Sequence, residues 1–155
     1  MILSDNELRM QLEAYGKENH DHWSFRGNAI RRHGHAYFQY PAMMVPQMVG
    51  DLLAPFSSRG AHVYDPFSGS GTALTESMMK GLDFSGQDIN PLAVLLCQAK
   101  TIPFFDKALA DSVARACSTA QSDGGKWIES EFPNRQKWFT DAVAIELSRI
   151  QRAIR

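Results

Sequence analysis

One stretch limits the fold of this chain more than any other. Asp65-Pro-Phe-Ser-Gly-Ser-Gly-Thr72 follows a short β-prone run, Ala61-His-Val-Tyr-Asp65, and precedes a helical pattern through Leu74 and Met78. Glycines in a strand-to-helix turn let the backbone bend sharply and expose its N–H groups, and the first turn of the next helix adds the positive end of its dipole. Gly81 stops that helix, and Asp83-Phe-Ser-Gly-Gln-Asp88 reads as a second strand. Asn90-Pro91 then supplies an N-cap and a proline at the first helical position for a helix over Leu92 to Lys100. Two strands joined through a helix run parallel, so the pattern predicts a right-handed βαβ crossover and an α/β fold class.

Around this unit the chain reads as helix and irregular arm. Ser4-Asp-Asn-Glu7 has capping-box spacing, and Leu8, Leu12 and Tyr15 continue it as an amphipathic helix that Gly16 should end. Periodicity then dissolves up to Pro41, which predicts a long, partly ordered connection. Pro46 opens a helix with Met48, Val49, Leu52 and Leu53 on one face, stopping near Pro55. Beyond Thr101 the pattern is helical: Asp106 to Ala120, a turn at Ser122-Asp-Gly-Gly, and a last amphipathic helix from about Thr140. The apolar stripe of that helix, Val143, Leu147, Ile150 and Ile154, must be buried against something, either the helix around Val113 or a surface outside the chain.

Composition narrows the class. At 155 residues, 44% hydrophobic and 21% charged, the chain has the balance of a globular protein of one domain's length. Cys97 and Cys117 read as reduced thiols in a cytoplasmic protein, and neither a bilayer-spanning run nor a leader is expected, so no membrane partner is foreseen. A formal charge of −1 gives no global attraction to a polyanion. A local excess lies between Lys17 and His35, where Lys17, Arg26, Arg31 and Arg32 outnumber Glu18 and Asp21. A solvated basic loop is its simpler reading and contact with phosphates its sharper one.

The glycine turn carries the chemistry. A phosphate loop needs Lys after the second glycine, and Gly71 is followed by Thr72-Ala73. A dinucleotide fingerprint needs a third glycine where this chain has Leu74. Asp88, at the end of the second strand, is placed to accept hydrogen bonds from ribose hydroxyls. Asp65 would repel a pyrophosphate but pair with an amino group. Ribose, ammonium and carboxylate together describe S-adenosylmethionine.

Asp65 to Thr72, followed by Gln87-Asp-Ile-Asn-Pro91, resembles motifs I and II of the amino-group DNA methyltransferases, which make N6-methyladenine or N4-methylcytosine. Tyr40-Pro-Ala-Met-Met-Val-Pro46 resembles their motif X. The similarity covers roughly residues 35–101. It implies a partial class I methyltransferase fold, Rossmann-like, with few parallel strands and a helical C-terminal insert. By the resemblance Tyr40, Pro41 and Ala42 complete the methionine pocket, Asp65 holds the amino group, and Ser68, Gly69, Ser70, Gly71 and Thr72 face the carboxylate. Asp88 takes the ribose, Ile89 lies against adenine, and Phe67 shapes the pocket wall. Two departures stand out: Met43 sits where many relatives carry lysine, and the Asp/Asn/Ser-Pro-Pro-Tyr/Phe transfer motif is missing, since the chain holds no Pro-Pro pair. No catalytic residue is therefore assigned.

The resulting expectation is three parts: residues 1–39 a helix and arm, 40–101 the S-adenosylmethionine-binding core, and 102–155 a helical insert, truncated or completed by a partner. The complete enzyme would act on DNA, as a homodimer or with a complementary methyltransferase subunit. A tRNA guanine-N2 methyltransferase fragment, sharing a similar Asp-Pro-Phe turn, and a non-catalytic cofactor-binding subunit are the alternatives. His20-x-His22 and His33-x-His35 lack acidic or cysteine partners at ligand spacing, so no metal is expected. Cys97 reads as a buried small residue, the methionines at 43, 44, 48, 78 and 79 as core filler, and Trp127 and Trp138 as anchors of the insert.

Overall fold

A computed structural model describes residues 4–18, 20–57 and 61–155. Met1, Ile2 and Leu3, part of the stretch read for a leader, lie outside the described residues. The chain divides into two compact units, Met1–Ile102 and Pro103–Arg155.

The first unit opens with α1 (Asp5–Glu18). Its capping box forms: Ser4 N and Oγ both donate to Glu7 Oε2 at 2.8 Å, and Glu7 N donates to Ser4 Oγ at 3.4 Å. The helix runs past Gly16, contrary to the expected stop. A mid-helix glycine costs only about 1 kcal/mol, and here the Trp23 indole lies against it. The connection that follows is more ordered than its lost periodicity predicts. A tight turn at His22–Ser24 gathers Tyr15, His22, Trp23 and Phe25 into one ring cluster, with Tyr15 and His22 stacked at 4.8 Å. A second turn spans His33–Ala36.

Next come α2 (Pro46–Leu53), β1 (His62–Asp65), α3 (Thr72–Met79), β2 (Asp83–Gly86) and α4 (Pro91–Thr101). The strands pair in parallel, with His62 opposite Asp83 and Asp65 opposite Gly86, as the βαβ reading requires. Asn90 caps α4 by accepting from Leu92 N at 3.0 Å. The core is small: Val49 of α2, Ala73 and Leu74 of α3, Leu82, and Ala93 of α4. α3 also buries Thr75 and Ser77, whose hydroxyls donate to the carbonyls of Gly71 and Ala73 four residues back, so neither is left unpaired. Met44, Met78 and Met79 are exposed and do not fill the core as expected.

The second unit contains α5 (Asp106–Ser122), α6 (Arg135–Trp138) and α7 (Asp141–Ala153), with α5 packed on α7. Here the helix around Val113 does not bury the stripe of α7. α7 buries Ala144 and Ser148, while Val143, Leu147, Ile150, Ile154 and also Val113 remain exposed. Small side chains let backbone approach closely: Glu129 N donates to Ser148 Oγ at 2.9 Å, and Arg149 Nε to Gly125 O at 3.3 Å. Trp138 is exposed and anchors nothing, whereas Trp127 is held by the Arg152 guanidinium, 4.2 Å from its ring centroid. Among the described residues no helix is long and apolar enough to cross a membrane.

Candidate functional site

The loop between β1 and α3 is fixed at both ends by backbone bonds that prolong the parallel ladder. Gln87 N donates to Asp65 O and Ser68 N to Gln87 O, each at 3.0 Å. Between them the chain reverses through Gly69 (φ +50°) and Gly71 (φ +76°). A side chain at Gly71 would be strained by this backbone, and its Cβ would lie 2.9 Å from Cys97 Sγ. Glycine is therefore required by conformation and by space.

Two carboxylates organise the loop. Asp88 accepts Gly69 N through Oδ2 and Asn90 N through Oδ1, both at 2.8 Å. These two amides, Asn90 foremost, hold its carboxyl below the ordinary carboxylate value. Each carboxylate oxygen has a second lone pair, so Asp88 keeps accepting capacity for a hydroxyl. Asp65 Oδ1 accepts Phe67 N at 3.0 Å, while its Oδ2 is buried with no hydrogen-bond partner. Ser70 Oγ in the same loop is likewise buried and unpartnered. Such groups are costly to leave unpaired, and a ligand is one of the few ways to satisfy them. The first-turn amides of α3, from Thr72 on, have no intrahelical acceptor by the geometry of a helix start.

Residues 40–42 sit beside this loop. Asn90 Nδ2 donates to Tyr40 Oη at 3.0 Å, and the Tyr40 ring lies against Gly69. Pro41 and Ala42 are exposed, and Ala42 holds φ +54°, a left-handed conformation that costs a non-glycine residue about 1–2 kcal/mol. Phe67 is 83% exposed and Ile89 fully so, both open to contact. Tyr40, Asp65, Ser68, Gly69, Ser70, Gly71, Thr72 and Asp88 are thus brought together, with Pro41, Ala42, Phe67 and Ile89 at the surface around them. A cleft of about 280 Å³ opens next to Ser68 and Asp88, walled by Leu74, Phe84, Val94 and Cys97. A larger groove of about 770 Å³ runs between α1 and Leu52, but few polar groups converge on it.

Sequence reasoning missed two contributors on α4. Lys100 Nζ donates to Ser70 O, and burial pulls its ammonium below the ordinary value. Cys97 is half-buried with Sγ 3.8 Å from Gly69 O, and burial chiefly pushes its thiol up. Residues three apart on a helix share a face, and the fold turns that face of α4 to the glycine loop. Neither histidine pair gathers around a metal position. His22 Nε2 bonds Asp51 at 2.8 Å and His35 Nε2 bonds Glu76 at 2.9 Å. Among the described residues no cluster of His, Cys, Asp and Glu suits a metal ion.

Two curated proteins show what this chain is similar to. It is 30% identical over 161 aligned residues to the Type II methyltransferase M.MvaI of Kocuria varians, a match that covers 97% of this chain and 36% of the relative. It is 35% identical over 69 residues to the Type II methyltransferase M.MjaII of Methanocaldococcus jannaschii, covering 44% of this chain and 13% of the relative. The chain thus spans well under half the length of either. No family model matches it, and no solved structure does.

Proposed function

On the premise that this chain is a relative of the type II DNA methyltransferases, matched along nearly all its own length, we propose that residues 40–101 bind S-adenosylmethionine for methyl transfer to an exocyclic amine of a DNA base, adenine N6 or cytosine N4. The observation that carries this reading is the buried, unpartnered Asp65 Oδ2 at the start of the loop that Asp88 holds through Gly69 N. An ammonium satisfies the first and ribose hydroxyls the second. The unpartnered Ser70 hydroxyl and the helix start at Thr72 suit the carboxylate. When bound, the cofactor supplies an electrophilic methyl group on a sulfonium.

This chain's own residues bind and orient. Asp88 holds Gly69 N, Lys100 holds Ser70 O, and Tyr40 closes on Gly69, so the loop is organised before its ligand arrives. Preorganisation of that kind lowers the cost of binding. Tyr40, Pro41 and Ala42 would line the methionine end, Phe67 would shape the wall, and Ile89 would lie against adenine. Residues 1–39 are the arm, 40–101 a Rossmann-like cofactor core, and 102–155 the helical insert. The Pro-Pro-Tyr-type motif that orients the target amine is not in this sequence, so DNA methylation belongs to an assembly with a further segment or subunit, or to a homodimer completed by one. The relatives' names favour this reading over the tRNA-type one.

Calorimetry with S-adenosylhomocysteine tests the proposal. The wild-type chain should bind it, and Asp65→Asn should lose about 1.5–3 kcal/mol, the worth of a hydrogen bond to a charged group. Uptake of NAD in preference to S-adenosylhomocysteine would refute the cofactor assignment.

A further inference from the structure

From His22 to Gly50 the sequence contains no Asp or Glu, in a chain where acids outnumber bases by 17 to 16. The cations of that stretch are Arg26, Arg31 and Arg32, all exposed. The arginines that form ion pairs among the described residues are Arg9, Arg135, Arg149, Arg152 and Arg155. Arg31 and Arg32 form none. Arg26 shares a cavity with Asp21 and Asp51, which offsets part of its charge.

These two arginines are not on a free tail. His33 follows at φ +49°, Arg32 O accepts His35 N at 3.0 Å, and His35 is buried on α3 through its bond to Glu76. Gly34 lies against Thr75 of the same helix. Five residues after His35, Tyr40 docks on Gly69 and Asn90. Arg32 is therefore within about 11 Å of the His35 anchor, three residues at full extension. Tyr37 and Phe38 stand exposed between the two anchors. Two guanidinium groups without an ion pair among the described residues, and two exposed rings, thus lie on the segment that leads to Tyr40 and the glycine loop.

We infer that Arg31 and Arg32, with Tyr37 further along the same segment, form a contact surface for the phosphate backbone of duplex DNA, placing the duplex against the mouth of the glycine loop. The inference rests on the reading of that loop as the methyl-donor site of a DNA-modifying protein. Guanidinium groups match phosphate geometry, and a tyrosine hydroxyl donates to phosphate oxygens. The global charge of −1 offers no other attraction, so the contact is local and strongly salt-dependent.

The test uses the 155-residue chain and a fluorescent duplex DNA of mixed sequence, with anisotropy followed over a salt series. Wild-type binding should weaken linearly in log–log form. R31A/R32A should flatten the slope by about 1.8, two phosphate contacts at ~0.9 each. R31Q/R32Q, which keeps side-chain bulk, should match it, and R115A in the second unit should retain the wild-type slope. S-adenosylhomocysteine titration of the same samples reports separately on the loop: unchanged affinity in the variants shows that the cofactor reading stands whatever DNA does. A wild-type slope in folded R31A/R32A, no salt-dependent DNA binding by the wild type, or tighter binding of a single-stranded RNA than of the duplex would each overturn the assignment.

Discussion

Arg135 and Arg152 of one unit and Arg31 and Arg32 of the other use the same group in opposite ways. In Pro103–Arg155, Arg135 is buried and paired with Glu131 and Asp141, and Arg152 is paired with Asp123 and Glu129 while covering Trp127. In Met1–Ile102, Arg31 and Arg32 are exposed without ion partners among the described residues, and the carboxylates that matter most, Asp65 and Asp88, accept the backbone amides of Phe67 and Gly69 in the glycine loop. The second unit pairs Arg135 and Arg152 with its own carboxylates, and Ala144 is its buried hydrophobic residue. The first has a modest apolar core and keeps charge for organising a loop and for meeting other molecules. A charged residue's role thus follows from whether its partner is already folded into the same unit.

The largest expected effect would break the loop that distinguishes the first unit. Gly71→Ala imposes about 1–2 kcal/mol of left-handed strain and drives a methyl group against Cys97 Sγ. Thermal unfolding should fall by several degrees, at roughly 2–4 °C per kcal/mol for a chain of this size. Adding Cys97→Ala should recover the steric part and leave the backbone part, a coupling that a double-mutant cycle measures directly.

A second experiment sharpens the contrast between the arginines. Arg135→Met removes a buried guanidinium that bonds Glu131, Asp141 and the Phe139 carbonyl, so urea unfolding should shift to lower concentration. Arg31→Met should change stability by no more than about 0.5 kcal/mol, the range of surface substitutions. Equal effects from the two would show that the distinction is wrong.

The smallest effect concerns acid. The carboxyl of Asp88 is held below its ordinary value by the Asn90 and Gly69 amides. Its contribution is therefore complete above the unfolded carboxylate value of about 4 and lost as pH falls through the lowered one. Asp123 and Glu129 are lowered as well, mainly by Arg152 for Asp123 and by Trp127 and then Arg152 for Glu129. Both units should lose stability in acid. Glu7 and Glu13 of the first unit are lowered too, by Ser4 and by Arg9, so Asp88→Asn should reduce the first unit's share and leave the second unit's unchanged, which chemical unfolding from pH 3 to 7, read by hydrogen exchange in each unit, separates.

Much of the candidate site was legible in the residues. Asp65, the two glycines and Asp88 lie within one strand–turn–helix–strand pattern whose spacing is set by local geometry. The part that was not legible depends on contacts far apart in sequence. Lys100 meets Ser70 thirty residues away, and Asn90 meets Tyr40 fifty residues away. Nothing in Lys100 itself distinguishes a loop-holding lysine from a solvated one. Asp88 was expected to serve a ligand alone, yet it also ties Gly69, because the end of β2 comes to rest beside the turn after β1.

The sequence by itself determined the βαβ order, the parallel pairing, the capping of α1 and α4, and the glycine turn, since each rests on interactions within a few residues or on chain connectivity. Only the tertiary structure decided which face of α7 is buried. The periodic stripe through Val143 and Leu147 was the larger apolar signal, but the face that is buried carries Ala144 and Ser148, whose hydroxyl accepts the Glu129 amide from a distant loop. Likewise only packing could separate Arg31 and Arg32 from Arg135 and Arg152: a guanidinium is the same group everywhere, and its partner is supplied by whatever the fold brings within reach.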